Sequence, residues 1–273
     1  MRVRNGRALA LGLALAVTAA ACGGEEPAPR RRSLSESSSA PAGGGGGGSL
    51  KVDPTTGGEI TGTVALDGGA PKNEPIRMNA DPVCVKQAPG AQSQESFMVG
   101  GDGKSLANVF VYVKDGLSGG YEAPPTTAVL DQKGCRYTPH VFGVQVGQPL
   151  EIINSDPTLH NIHATPKANR EFNNGQPIQG MKMQHTFKAK EVMVPFKCDV
   201  HGWMNAFVGV LDHPFFGVTD ASGKFSLKGV PPGTYTIEAW HEKLGATTQS
   251  VTIAAKETKD ITFALKAPAT STN

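Results

Sequence analysis

The sequence predicts an all-β protein built from two small β-sandwiches behind a leader that has no core of its own. Three observations carry that expectation. From about Gly58 onward, short runs recur in which apolar and polar residues alternate at period two, as in Leu150-Glu151-Ile152 and Tyr235-Thr236-Ile237-Glu238. Gly and Pro, 34 and 20 of the 273 residues, stand at nearly every join between these runs. No stretch combines sustained helical periodicity with end caps.

The chain opens on a positive stretch, Arg2, Arg4 and Arg7, followed by an apolar run over residues 8–21. That run is too short to span a bilayer and suits an export signal, so residues 1–21 are read as a signal peptide. The segment Ala19-Ala20-Ala21-Cys22-Gly23 resembles a bacterial lipobox. The resemblance implies acylation of Cys22, a membrane anchor through that lipid, and residence in the periplasm or cell envelope. Residues 22–57 hold Arg30-Arg31-Arg32, Ser37-Ser38-Ser39 and an unbroken glycine run from Gly43 to Gly48. Almost nothing there is apolar, so burial cannot offset ordering entropy, and the segment reads as a disordered tether.

Without Arg2, Arg4 and Arg7 the balance is 23 basic to 24 acidic residues. No basic footprint is left, which argues against nucleic acid as a partner and against steering of highly charged substrates.

The candidate strands follow in order: Glu59–Leu66, Ala107–Val113, Thr126–Leu130, Pro149–Asn154, Glu191–Phe196, Asn205–Leu211, Thr234–Trp240 and Ile261–Leu265. Four cysteines lie among and before them: Cys22, Cys84, Cys135 and Cys198. With Cys22 lipidated, three remain. Cys84 and Cys135 sit in turn-flanked contexts with no His within three residues, and in an exported protein they are expected to form a disulfide. That leaves Cys198 unpaired, and an unpaired thiol in oxidising surroundings points to a metal.

Two segments carry the chemistry. One runs Asn154-Ser155-Asp156-Pro157-Thr158-Leu159-His160-Asn161-Ile162-His163. The other runs Phe196-Lys197-Cys198-Asp199-Val200-His201-Gly202-Trp203-Met204, with the spacing C-x2-H-x2-M. Cys198, His201 and Met204 on one tight loop can converge on a point, and a His from the first segment completes a set of two imidazoles, one thiolate and a thioether. Those donors describe a mononuclear copper site for electron transfer. Trp203 is either a docking aromatic beside His201 or a rim residue packing the loop. His185, in the Met181-Lys182-Met183-Gln184-His185 patch, reads as a solvated loop residue. His140, His213 and His241 lack ligand spacing and read as structural. A role for His163 or His185 in copper loading stays open.

The two segments resemble the cupredoxin (blue copper) family, and among its members the amicyanin-like proteins that share this loop spacing. Plastocyanin-like members usually have a longer gap before the Met. The resemblance covers residues 105–212 and implies a Greek-key sandwich. It also implies His160, Cys198 and His201 as equatorial copper ligands, Met204 as the axial one, and Asn161 as the amide tying the two ligand loops together. His163, on the same strand as His160, would then face the opposite way. Farther on, Gly223-Lys224-Phe225-Ser226-Leu227 and Val230-Pro231-Pro232-Gly233-Thr234-Tyr235 resemble the carboxypeptidase-regulatory-like (transthyretin-like) family. This resemblance implies a non-catalytic β-sandwich over 213–267, ahead of a tail at 268–273. The opening strand within the leading segment 58–104 is similar to the same family and would pair with that module.

The expected function is therefore an exported, lipid-anchored copper protein, not an enzyme, that passes single electrons between redox partner proteins. A copper-delivery protein without a redox circuit and a structural surface protein are the alternatives. A multicopper oxidase would need more than seven His, and a binuclear copper site would need a second Cys near Cys198. A cysteine hydrolase would need a cleft between nucleophile and base. Zinc has little use for a thioether.

Overall fold

Alternating side chains become strands wherever one face meets a core, and the first strand illustrates it. Its residues alternate buried and half-buried along nearly its whole length. The structure, a computed structural model, describes residues 50–268. The signal peptide, Cys22 with its lipidation, the tether up to residue 49 and the tail from 269 lie outside the described residues.

In chain order the strands begin with β1 (Gly58–Asp67), β2 (Pro75–Ile76), β3 (Gln92–Ser93), β4 (Phe110–Asp115), β5 (Ala128–Gln132), β6 (Tyr137–Thr138), β7 (Val141–Gln145), β8 (Leu150–Asn154) and β9 (His160–Ala164). They continue with β10 (Phe172–Gln176), β11 (Lys182–His185), β12 (Glu191–Lys197), β13 (Asn205–Leu211) and β14 (Phe216–Val218). The last are β15 (Lys224–Val230), β16 (Gly233–His241), β17 (Gly245–Ile253) and β18 (Thr258–Lys266). The one helix among the described residues, α1, is Pro82–Gln87. No described helix is long and apolar enough to cross a membrane.

Four sheets build two sandwiches. A five-stranded sheet, β10-β9-β12-β13-β7, faces a four-stranded one, β11-β8-β5-β6. Leu130, Leu150 and Ile152 of the smaller sheet meet Ile162, Val194, Phe196 and Val208 of the larger in one buried cluster. The second sandwich pairs β14-β4-β16-β17 with β15-β1-β18. Val111, Ile237 and Val251 meet Ile60, Leu227 and Phe263 there. A third cluster joins the two sandwiches: Phe110 and Tyr112 of β4 pack on Val141 and Leu211, with Phe216 and Trp240 against them.

This arrangement moves several boundaries read from the sequence. β4 falls within the span 105–212 assigned to the copper domain, yet it pairs with β14 and β16 and belongs to the second sandwich. Its first four residues are all buried, because each face of the strand meets a different core. β1, at the head of the leading segment, lies between β15 and β18, antiparallel to one and parallel to the other. The tether was expected to run to residue 57, but Leu50 exchanges backbone hydrogen bonds with Gly120 and Glu122. α1 was not anticipated at all. Asp81 caps it, accepting from the amides of Val83 and Cys84, and Pro82 opens it.

The joint between sandwiches depends on two glycines. Gly209 of β13 and Gly143 of β7 are register partners, and the fully buried Phe110 ring fills the recess they leave. A Cβ at either position would run into that ring. Gly209→Ala is therefore expected to destabilise the fold by about 1–3 kcal/mol through overpacking. Chemical denaturation checks it, and an unchanged midpoint would mean that Phe110 has room to move.

Candidate metal centre

The first ligand segment is held by its own backbone. Asn154, at the end of β8, accepts from the amide of Asp156 through Oδ1 at 3.0 Å and donates through Nδ2 to the carbonyls of Thr158 and Gln176. Asp156 in turn accepts the amides of Gly134 at 2.9 Å and Cys135 at 2.7 Å. This turn delivers His160 as the first residue of β9, fully buried.

The second segment closes on itself between β12 and β13. The Cys198 amide donates to the Met204 carbonyl, the Met204 amide to the His201 carbonyl, and the His201 amide to Cys198 Sγ. Asn161 ties the two segments together, accepting the Asp199 amide on Oδ1 at 2.7 Å. The Tyr137 hydroxyl donates to the carbonyl of Asn161 beneath them.

These loops bring His160, Cys198 and His201 together, with ligand atoms all within 4.8 Å of one another. Their exposures are 0%, 2% and 3%. Met204, 1% exposed, is buried in the same cluster as Cys198. The imidazoles meet at 69°, with Nδ1 of His160 2.9 Å from Nδ1 of His201. Each ring has a carboxylate behind it: Asp156 Oδ2 lies 3.0 Å from His160 Nε2, and Asp81 Oδ2 lies 3.0 Å from His201 Nε2.

Sequence reasoning missed both carboxylates as partners. Asp156 was visible four residues before His160. Asp81 arrives from a distant segment, and its only local signal was the Asp-Pro helix start beside Cys84. Cys84 and Cys135 are joined in a disulfide. Together with α1 it covers His201, whose Nε2 lies 3.6 Å from Cys84 Sγ.

The electrostatics follow from these contacts. Burial opposes charge on His160, yet hydrogen bonds to Asp156 and Cys198 outweigh it and hold the ring up at about 8. For His201 burial wins over the hydrogen bond to Asp81, and its pKa falls. Burial would raise the Cys198 thiol, but hydrogen bonds from His160 and the amides of Asn161, His201 and Val200 hold it below its ordinary value. The sulfur is thus biased toward thiolate, the form that binds metals. An ionised carboxylate only accepts, so each Nε2 carries its proton toward Asp156 or Asp81. The two Nδ1 atoms then oppose one another and need a proton or a cation between them. The donor set and this opposition fit a soft to borderline metal ion.

The other candidates lie elsewhere. His163 hydrogen-bonds Asp199 at 2.8 Å and Glu171 at 2.9 Å. His185 is not a solvated loop residue: it ends β11, stacked on Phe172 at 4.1 Å and edge-on to Phe187 at 4.6 Å. Met181 is exposed, and Met183 is half-buried against the first core. His140 bridges the sandwiches through Glu242 at 2.6 Å. His213 and His241 are buried, and burial pushes each down to about 4. Trp203 donates to the carbonyl of Cys135 at 3.0 Å and stacks obliquely 5.0 Å from His201, so it packs the rim of the loop.

Residues 205–266 match the carboxypeptidase regulatory-like domain family. The match starts at β13, a strand that belongs to the first sandwich in the structure. By sequence, no curated protein matches the chain. Among solved structures, a copper-containing nitrite reductase from Thermus scotoductus SA-01 is similar at 18% identity and a TM-score of 0.30. That likeness covers 36% of this chain and only 25% of the reductase. An amicyanin variant in its Cu(I) form is similar at 22% identity and a TM-score of 0.28, over 31% of this chain and 81% of its own. A purple cupredoxin from Nitrosopumilus maritimus is similar at 21% identity and a TM-score of 0.27, over 30% of this chain and 98% of its own.

Proposed function

We propose that this chain is an exported, lipid-anchored mononuclear copper protein that carries single electrons between redox partner proteins. The observation that carries the reading is the pair of opposed Nδ1 atoms, 2.9 Å apart, beside a buried cysteine sulfur. His160, Cys198 and His201 would hold the ion, with Met204 as the weak fourth donor. When bound, copper supplies one-electron exchange between Cu(I) and Cu(II).

The chain's own residues prepare for that. Asp156 and Asp81 engage the Nε2 side of each ring, which leaves both Nδ1 atoms facing inward to trade a proton for the ion. Asn161 locks the two loops so that the donors cannot drift apart. α1 and the disulfide keep water from His201. Such a site is reached by electrons more readily than by a substrate, which favours a carrier over an enzyme. Leu159 and Val200, each just before a buried imidazole, are exposed and offer an apolar face to a partner protein. Export and anchoring rest on the N-terminal sequence.

Reconstituting the purified protein with Cu(II) tests the reading. One copper per chain is expected, with an intense visible sulfur-to-copper band and a narrow copper hyperfine splitting in spin resonance. Copper bound without the sulfur band would overturn the ligand set. Slow electron exchange with small redox reagents, together with ready release of copper to a chelator, would favour delivery over electron transfer.

A further inference from the structure

Behind the two imidazoles, on their Nε2 side, lie two sulfurs that the proposed function uses only as a cover. Cys84 Sγ is 3.6 Å from His201 Nε2. Asp81, Cys84 and His201 bring ligand atoms within 4.8 Å of one another, and so do Cys135, Asp156 and His160. The two clusters thus adjoin one another across the Cys84–Cys135 bond. Both cysteines are fully buried. A disulfide sulfur is a poor donor, whereas a thiolate is a strong and soft one. The oxidation state of this pair therefore decides whether a second group of metal donors exists beside the first.

We infer that Cys84 and Cys135 form a redox-gated second metal site that takes Cu(I) once their disulfide is reduced. The positions needed are already held. The Cys84 amide is fixed by the Asp81 cap at 3.4 Å, and the Cys135 amide by Asp156 at 2.7 Å. The Cys135 carbonyl is fixed by Trp203 at 3.0 Å. With the Cα atoms 5.5 Å apart, the two thiolates stay close after the bond opens. The carboxylates are already engaged by backbone amides and imidazoles, so the site offers two sulfurs and little else. That suits Cu(I), a soft cation satisfied by two thiolates, better than zinc, which prefers four donors.

The gate is thiol–disulfide exchange with a dithiol. One thiolate of the reagent attacks a cysteine sulfur, forms a mixed disulfide and releases the other cysteine as a thiol. The reagent's second thiolate then closes its own disulfide and frees the remaining cysteine. Two electrons and two protons pass from the dithiol to the protein, and Cu(I) binding displaces the two protons. α1 has six residues, with Val85 exposed, so local opening of this short cap admits the reagent.

The second site depends on the disulfide pair and shares only its neighbourhood with the proposed copper site, so one titration separates the two. The protein is titrated anaerobically with Cu(I) against a chromophoric Cu(I) chelator, before and after treatment with a dithiol that is then removed. One equivalent is expected to bind before reduction and two after it, with the thiol titre rising by two. The double variant Cys84→Ser/Cys135→Ser is expected to bind one equivalent under both conditions. A reduced protein that still binds one, with its thiol titre raised, would overturn the inference. Failure of the first equivalent alone would sink the Cys198 site and leave this one standing. Near-ultraviolet circular dichroism on the same samples reports the fold, and its loss on reduction would also overturn the inference, because the site would then have no native frame.

Discussion

Cys198→Ser is expected to abolish the visible sulfur-to-copper band entirely and to weaken copper binding by far more than any change behind the ligands. The substitution is nearly isosteric, so the buried loop keeps its shape, and a hydroxyl can still accept the His201 amide that Sγ now accepts. What disappears is the soft donor. A serine hydroxyl does not ionise near neutral pH and offers a hard oxygen where the site presents a thiolate. Mutating a carboxylate behind a ligating imidazole costs about 10–100-fold in metal affinity, and Asp156→Asn, which keeps an acceptor but removes the charge, is expected to fall in that range. Losing the sulfur itself is expected to exceed it. Competition against a Cu(I) chelator measures both variants on one scale. If Cys198→Ser bound copper as tightly as Asp156→Asn, Cys198 would not be a ligand, and the electron-carrier reading would go with it.

The convergence of His160, Cys198 and His201 was legible because each half of the site is local in sequence. Cys198 and His201 share one seven-residue loop with Met204, and His160 opens a strand whose preceding turn is written in Asn154 and Asp156. What was not legible depends on distance along the chain. Asp81 is 120 residues from His201, and a six-residue helix is too short to display periodicity. Sheet membership was hidden for the same reason. β4 is followed directly by the strands of the first sandwich, yet it pairs with β16, more than a hundred residues later. Because both of its faces are buried, no alternation reveals which core it serves. His185 misled in the opposite sense: the Met181–His185 patch reads as a solvated loop, whereas Phe172 and Phe187 close around its ring.

Acid is expected to destabilise the protein steeply between pH 6.5 and 4, and two histidines outside the candidate metal centre carry the largest share of the loss, beside smaller parts from His185 and His201, whose pKa values burial also lowers. His213 and His241 are 2% and 1% exposed. The Nδ1 of His213 accepts the Phe215 amide, and that of His241 accepts the amides of Lys243 and Leu244. Both roles require an unprotonated Nδ1. Burial pushes each ring from its ordinary 6.5 down to about 4. In the unfolded chain both titrate near 6.5, so between those values the unfolded state binds more protons than the folded one, and stability falls as pH falls. Above pH 6.5 the contribution is fully present, and by pH 4 it is gone. Each ring is worth about 3 kcal/mol across that window, a large share of the roughly 5–15 kcal/mol that holds a typical domain together. Asp102 and Asp199, held at about 2 by their hydrogen bonds, titrate below the window and do not obscure it. His160 is held up at about 8 and titrates above it. An Asn side chain can place its carbonyl oxygen near the position of Nδ1, so His213→Asn/His241→Asn keeps an acceptor while removing the titration. Denaturation midpoints followed from pH 7 to pH 4 are expected to drop sharply in the wild type and much less in the double variant. Parallel profiles would show that the fold does not lower the pKa of these two rings, and that the acid sensitivity arises elsewhere.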